Sequence, residues 1–556
     1  VFGSLLETDL KAQGVLMNPG YDYIIVGAGS AGCVLANRLT EDAGATVLLL
    51  EAGGRDNHPY IQIPLGLGKL QQHRMFDWGY ATEPEPHLNN RRLPLLRGKV
   101  LGGSSSINVM AYTRGHRVDF DRWAREGATG WSFAEALPYF KRSESWEGGE
   151  DPWRGGSGPL GTEPSRDPDP LFAAFQQAGQ LAGWPVTDDP NGAEPLGFGP
   201  SQWTIHHGRR ASASNAYLKP ALHRTNLTLQ THALATKVTL RGTRATGVEY
   251  EHNGTTVCAE AKREVILCGG VFNSPQLLML SGIGPATHLR DIGIAPLIDL
   301  PVGRNLRDHL QVRLRWSRLG PGPFRRLMRA DRVALAMAQA WLFRTGPATM
   351  LPNALKAFLR TNAELEAPDM ELLFLAAPLA PRIWFPGLTP PYEDAFGIHP
   401  VLLHPRSEGE VTLRSADPRA PVRVVNNFLA DPADVATLRE GVQLAQDLAH
   451  RRPMDPFRGR RLAPVADLRT DAEIDEWIRN EVITVNHPLG TCAMGRREDA
   501  VLDPELKVRG TEALRVVDAA ALPDMPSAHI NAIVMMLAER ASDLIRGRQP
   551  LAPLNV

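Results

Sequence analysis

Two short stretches hold residues able to do chemistry. VNHPLGTCAMG, 485–495, sets a single histidine, His487, against a proline and two glycines. PSAHINAIVMM, 526–536, places His529 and Asn531 just ahead of an apolar helical run. A neutral imidazole accepts a hydroxyl proton near neutral pH, and an amide or second ring can hydrogen-bond an oxygen as charge develops on it. A loop as stiff and bare as the one around His487 suits a base held over something that glycines let approach. The plainer alternative is one satisfied core histidine among sixteen. His529 and Asn531 are two apart and do not share a helix face, so one of them is expected to be the partner.

Something must lie under such a base, and the amino-terminal segment supplies a site for it. In YDYIIVGAGSAGCVLANRL, from Tyr21 to Leu39, a β-branched run is followed by Gly27, Gly29 and Gly32 as G-x-G-x-x-G and then by helical spacing. TVLLLEAGG reads as a second buried strand ending in Glu51. Strand, glycine turn, helix, strand and acid form a dinucleotide site. Gly27 permits the turn, Gly29 lets backbone approach a pyrophosphate, and Gly32 lets the helix pack on the strand. The helix N-terminus faces the phosphates, and Glu51 is placed for ribose hydroxyls. An acid there disfavours NADP. No second unit of this kind is found, so one dinucleotide is expected and the other substrate is not a nucleotide.

RGKVLGGSSSINVMAYTRGH, 97–116, adds Gly102 and Gly103, three serines and Asn108. Small residues here let backbone amides lie near a large flat ring, for which a simple nicotinamide domain has no use; a flexible linker is the plain reading. The bulk composition is that of a globular protein: 556 residues, net charge −1, 22% charged and 43% hydrophobic. It gives no electrostatic case for nucleic acid. Four scattered cysteines include no CxxC pair, no metal-ligand cluster is seen, and a reducing, cytoplasmic setting is expected. Residues 1–20 lack a basic start followed by an apolar core and read as a leader outside the fold. No apolar run spans a bilayer. FRRLMRADRVALAMAQAWLF, 324–343, puts Arg325, Arg329 and Arg332 along one helical face. It reads as a core helix of a second domain, with peripheral contact to the inner membrane as the alternative.

These motifs, with GGVFNSPQLLMLSGIG at 269–284, LPVGRNLRDHL at 300–310 and LRVVDAAALPDMPSAHINAIVMMLAER at 514–540, occur in an order that resembles the glucose–methanol–choline (GMC) oxidoreductases, bacterial alcohol and choline dehydrogenases above all. The resemblance implies an α/β fold in which a Rossmann-like FAD-binding domain is interleaved with an antiparallel-sheet substrate domain. It also implies oxidation of an alcohol to the aldehyde by hydride transfer to flavin N5, with reoxidation by O2 or a quinone-type acceptor. The implied catalytic pair is His487 as base and Asn531, with His529 as competitor. The implied FAD contacts are Gly27, Gly29, Ser30, Ala31, Gly32, Glu51, Ala52, Trp78, Gly98, Leu101, Gly102, Gly103, Ser106, Asn108, Val109, Met110, Ala111, Val238, Asp518, Ala519, Asn531 and Ala532. Asp518 has a plain structural reading at a strand end. Some relatives attach the flavin to a histidine where this chain has Ile107, so FAD is expected to be non-covalent. Non-redox chemistry of hydroxynitrile lyase or photodecarboxylase type, and a non-catalytic flavin-binding protein, are the alternatives.

The segments divide as FAD-binding 21–155, 196–310 and 481–556, and substrate-binding 156–195 and 311–480. Within RTGPATMLPNALKAFLR, 344–360, relatives often carry Glu where this chain has Lys356. That weakens the case for a cationic substrate such as choline, although the plain reading is a surface lysine. RIWFPGLTPPYED, 382–394, is expected to wall the entrance. An uncharged primary alcohol, aryl or aliphatic, is the expected substrate.

Overall fold

The computed structural model describes residues 16–378, 381–496 and 500–556. Two sheets organise the chain. The first has the strand order Leu227–Thr231, Val47–Glu51, Leu16–Val26, Thr255–Leu267, Arg244–His252, Ala233–Arg241, and Leu514–Val516 also pairs with Thr255–Leu267. Its pairings are parallel up to Thr255–Leu267 and antiparallel beyond. The Val47–Glu51 strand is buried along its whole length, as a sheet covered on both faces requires. The helix Ser30–Leu39 follows the glycine turn, and the final helix Asn531–Ile545 packs beside it. Thus early, middle and last segments build one nucleotide-binding unit.

The second sheet is antiparallel, in the order Arg458–Ala463, Leu314–Arg318, Ala395–Leu402, Met370–Leu375, Leu355–Leu359, Gly197–Pro200. One face is apolar. Leu310, Val312, Leu314 and Trp316 along one run of chain, with Leu372, Phe374, Phe396 and Ile398 on neighbouring strands, pack with Phe175 and Leu438 from the helices Pro170–Leu181 and Pro432–His450. Since side chains alternate along a strand, the residues between these point the other way, toward the first unit.

The structure shifts several sequence boundaries. Residues 16–20 extend the first strand, pairing with Val257–Ala259 over Leu16–Asn18, although 1–20 reads as a leader in sequence; residues 1–15 lie outside the described residues. Gly197–Pro200 belongs to the substrate sheet although 196–310 reads as nucleotide-binding sequence. Val411, Leu413, Val422 and Val424 join the core of the nucleotide unit from within 311–480.

The 324–343 segment is not a core helix. It breaks where Arg329 is extended, into Pro323–Leu327 and Ala330–Phe343, so Arg325, Arg329 and Arg332 do not share one face. Only Val333, Ala336 and Ala340 are buried on the second helix, while Leu335, Trp341, Leu342 and Phe343 are exposed. Ile63, Ala348, Met328 and Tyr392 cover one narrow face of this helix and leave the rest uncovered. Among the described residues no helix is long and apolar enough to cross a membrane.

Candidate active site

The glycine turn is tight for reasons visible in its neighbours. Gly27 has φ of 103°, and a Cβ there would lie 2.4 Å from the Cys268 carbonyl oxygen. A Cβ on Gly32 would meet the Gly27 oxygen at 1.9 Å, so helix and turn are in contact. Beside them a Cβ on Gly103 would lie 2.8 Å from the Gly29 Cα. The helix Ser30–Leu39 has no side-chain cap, which leaves its first N–H groups free for an anion. Both oxygens of Glu51 accept backbone N–H bonds, from Ala28 at 2.9 Å and Gly53 at 2.8 Å, while burial pushes its carboxyl up to about 7.

These groups line one continuous cleft. Gly27, Gly29, Ser30, Ala31, Glu51, Ala52, Trp78, Gly98, Gly103, Asn108, Val109, Ala111, Asp518, Ala519 and Asn531 lie along it, as do Ile107, His487 and His529. A diphosphate fits the uncapped helix start, and a flat ring fits the bare stretch from Gly103 toward His487. Such a cleft accommodates a dinucleotide. Ile107 offers no nucleophilic atom for attachment.

Seven expected contacts do not line it. Gly32, Leu101, Gly102, Ser106 and Ala532 shape the turn and helix packing behind the wall, with Ser106 Oγ donating to the Leu101 carbonyl at 2.6 Å. Met110 is buried among Leu67, Trp203 and Leu351. Val238 faces the core, and its N–H donates to Ser281 Oγ; Ala233, Leu234 and Ala235 of the same strand reach the cleft instead. The sequence gives no period that distinguishes Ala235 from Val238. Asp518 spends its oxygens on Gly270 N–H, Ser274 Oγ–H and Ala520 N–H, so the cleft wall at the strand end is braced by it.

Arg210 was not singled out in the sequence, yet it fixes the glycine–serine segment. Its guanidinium donates to the carbonyls of Ile61, Ser105 and Asn108 and to Asn108 Oδ1. Burial lowers its pKa to about 9. Asn108 is thereby held with Oδ1 also accepting Met110 N–H at 3.1 Å.

The loop carrying His487 is clamped on both sides. His487 N–H donates to Asp308 Oδ1 at 2.7 Å, and Thr484 Oγ donates to Asp308 Oδ2. Gly490 has φ of 91°, and a Cβ there would overlap the Asn305 carbonyl at 2.3 Å. His487 Nδ1 lies 3.0 Å from His309 Nδ1, and His309 Nε2 lies 2.9 Å from the Leu403 carbonyl. A carbonyl only accepts, so His309 carries its proton on Nε2 and presents a lone pair at Nδ1. His487 then donates from Nδ1 and leaves Nε2 as a bare lone pair. Burial and the neighbouring rings of His529 and His309 hold His487 well below the usual histidine range, and burial brings His309 to about 3.

The ring facing His487 is His529, with centroids 4.7 Å apart and planes at 74°. Its Nε2 lies 2.9 Å from Glu371 Oε1, and its buried Nδ1 has no partner. Asn531 sits elsewhere: its Oδ1 accepts from Ser30 Oγ at 2.7 Å, where the two helix starts meet. Asn531 Oδ1 is thus engaged by Ser30, while the His529 ring lies opposite His487. The spacing rule separated the two residues but not their directions.

Comparison with known proteins now decides the family. GMC oxidoreductase models match residues 21–311 and 405–538. The chain belongs to the GMC oxidoreductase family. It is 44% identical over 537 residues to an oxygen-dependent choline dehydrogenase of Brucella ovis, covering 96% of this chain and 97% of that one. Among solved structures it is similar to pyridoxine 4-oxidase from Mesorbium loti (31% identity, TM-score 0.86, covering 95% and 100% of the two chains). It is also similar to a formate oxidase of Aspergillus oryzae (28% identity, TM-score 0.85, covering 95% and 98%). This GMC protein is an FAD-dependent enzyme that oxidises an alcohol and passes the electrons to O2 or another acceptor, with FAD bound non-covalently.

Proposed function

We propose that this enzyme oxidises a primary alcohol with His487 as the base and His529, rather than Asn531, as its partner on the substrate oxygen. The observation that carries this is the hydrogen-bond chain from Leu403 through His309, which leaves His487 Nε2 unprotonated beside the His529 ring. FAD, when bound, supplies the two-electron acceptor for the carbinol hydride. His487 Nε2 takes the hydroxyl proton. His529, held from behind by Glu371 at Nε2, sets its ring against the same oxygen. Glu51 and the Ser30–Leu39 helix start hold the dinucleotide, and Asn531 with Ser30 ties the two helix starts together.

The curated relative acts on choline by its name. Lys356 argues against a quaternary ammonium here, because it is 2% exposed and faces the catalytic side of the substrate sheet. It is no surface lysine. The 382–394 stretch does not wall the cleft: Trp384 bonds the Arg325 carbonyl and pairs with Arg329 on the outer helices. The four free, buried cysteines support a cytoplasmic setting.

Separate His529→Ala and Asn531→Ala variants test the assignment. Flavin reduction by a reactive alcohol should slow by about 10²-fold or more in His529→Ala. Asn531→Ala should instead weaken FAD retention, with a smaller effect on the reduction rate constant of the loaded enzyme. The reverse pattern would return the role to Asn531.

A further inference from the structure

The helix Ala330–Phe343 presents an uncovered apolar end to solvent. From Val333 to Phe343 its one polar residue is Gln339. One face, with Val333, Ala336 and Ala340, packs on Ile63, Ala348 and Tyr392. Leu335, Ala338 and Leu342, spaced by three and four residues, fall on the opposite face. Leu335 is 71% exposed, Leu342 67% and Phe343 71%. A helix apolar on all sides is normally wrapped by protein or by lipid, and here protein wraps one side.

The loop 383–389 is tied to the start of this helix. Ala330 N–H donates to the Trp384 carbonyl at 2.8 Å, and Trp384 Nε1–H donates to the Arg325 carbonyl at 3.0 Å. The Trp384 ring packs against the cluster of Met328, Val333 and Tyr392. On this loop Ile383, Phe385 and Leu388 are exposed as well. Helix and loop thus form one apolar prominence, unlike the singly scattered apolar residues of an ordinary surface. It stands on segments that wall the cleft. Ile63 and Leu65 beneath the helix lead into Leu67–Gln72, whose Gln71 lines the cleft. Leu351, just past Ala348, packs with Met110 beside Ala111, another lining residue.

Charge on the prominence is of one sign. Between Pro321 and Gly346 stand Arg325, Arg326, Arg329, Arg332 and Arg344 against one acid, Asp331, which Arg329 holds in an ion pair. Arg382 opens the loop, and no acid follows before Glu393. Among the described residues, the exposed Arg326, Arg332, Arg344 and Arg382 make no ion pair. Arginines on other surface helices are paired, Arg451 with Asp447 and Arg439 with Asp471 and Asp475. Arg332 precedes Leu335 by three residues and shares its face, and Arg344 follows Phe343 directly. Arg209 lies 4.8 Å from the Trp341 ring centroid and donates to the Trp341 carbonyl at 2.6 Å, which fixes that ring at the margin.

We infer that this prominence docks the protein peripherally on a bilayer carrying anionic phospholipid. Leu335, Leu342 and Phe343 enter the boundary between headgroups and acyl chains, and Arg326, Arg332 and Arg344 meet the lipid phosphates. The wall of the cleft is thereby set beside the bilayer. A second copy of the chain fits this surface worse, because a two-fold contact sets the same arginines against each other. The helix has 14 residues, about 21 Å of length, and is too short to span.

Co-sedimentation of the FAD-loaded full chain with vesicles tests this. At low salt the protein should partition onto phosphatidylglycerol–phosphatidylcholine vesicles on the order of tenfold more strongly than onto phosphatidylcholine alone, and less as salt rises. Leu342→Glu combined with Phe343→Glu should lower partitioning by on the order of tenfold or more. Arg332→Gln combined with Arg344→Gln should lower it about fivefold for each arginine removed, on the anionic vesicles alone. These four side chains are exposed, so flavin content, Tm and flavin reduction in solution should stay at wild-type values. No partitioning onto anionic vesicles, equal partitioning onto neutral ones, or partitioning that neither pair of substitutions moves would overturn the inference. So would a dimer in sedimentation velocity that Leu342→Glu with Phe343→Glu dissociates while vesicles bind no protein; the surface would then join two copies.

Discussion

His309 Nδ1 and His487 Nδ1 lie 3.0 Å apart, and only one of the two can carry a proton in that contact while both rings are neutral. The Leu403 carbonyl on the far side of His309 settles which one. The backbone oxygen of Leu403 thus determines which nitrogen of His487, the proposed base, is bare. In that proposal His309 is a positioning residue. Replacing it with Phe removes the acceptor for His487 Nδ1–H. Flavin reduction should fall by about tenfold to a hundredfold with FAD still bound, with kcat moving more than KM. His309→Gln, which keeps an acceptor, should recover part of the rate. Equal loss in both variants would mean that the ring serves packing alone.

The pH profile follows from the sign of the shift. His487 is held well below the usual histidine value, so its neutral form persists as pH falls. With an uncharged alcohol, the reduction rate constant should stay nearly flat from about pH 8 to about pH 6, with no inflection near 6.5. A fall with an apparent pKa near 6.5 would contradict this protonation state.

The same depression has a stability consequence. His309, His399 and His487 are all kept neutral by burial in the folded chain. Their contribution is fully present above the unfolded histidine value and is lost as pH drops through it toward the folded values. Tm should therefore fall between about pH 7 and about pH 5. His309→Phe should flatten part of that dependence, and an unaltered slope would remove His309 from the account.

Glu371 holds His529 from behind, and its carboxyl lies below the usual range because His529 and Lys356 outweigh its burial. Glu371→Gln keeps the shape and removes the charge. The rate constant for flavin reduction should drop by on the order of tenfold or more. An unchanged rate would show that the carboxylate only fills space.

Much of this was legible in the residues. The strand, turn, helix and acid from Tyr21 to Glu51 describe a local unit whose logic is backbone geometry, and Gly27 and Gly32 make the close contacts their spacing implies. His487 stood out because its loop is stiff and bare. Asn531 and His529 were harder: spacing says that two residues diverge, and only the helix start at Asn531, tied to Ser30 from the other end of the chain, says which diverges where. Nothing local marks Lys356 as buried, since lysines are usually exposed. Its burial follows from strand pairing across four segments distant in sequence, which no local pattern contains. The exposed end of Ala330–Phe343 misled for the converse reason, since apolar residues there have no neighbour to cover them.

The most direct test of the central claim is anaerobic mixing of the FAD-loaded wild type and its His487→Ala variant with a panel of primary alcohols, followed by flavin absorbance. The account predicts bleaching of the wild type by at least one alcohol, and a rate constant lower by on the order of 10²–10⁴ in His487→Ala with flavin content unchanged. Equal bleaching of both proteins, or none by any alcohol in the wild type, would contradict it.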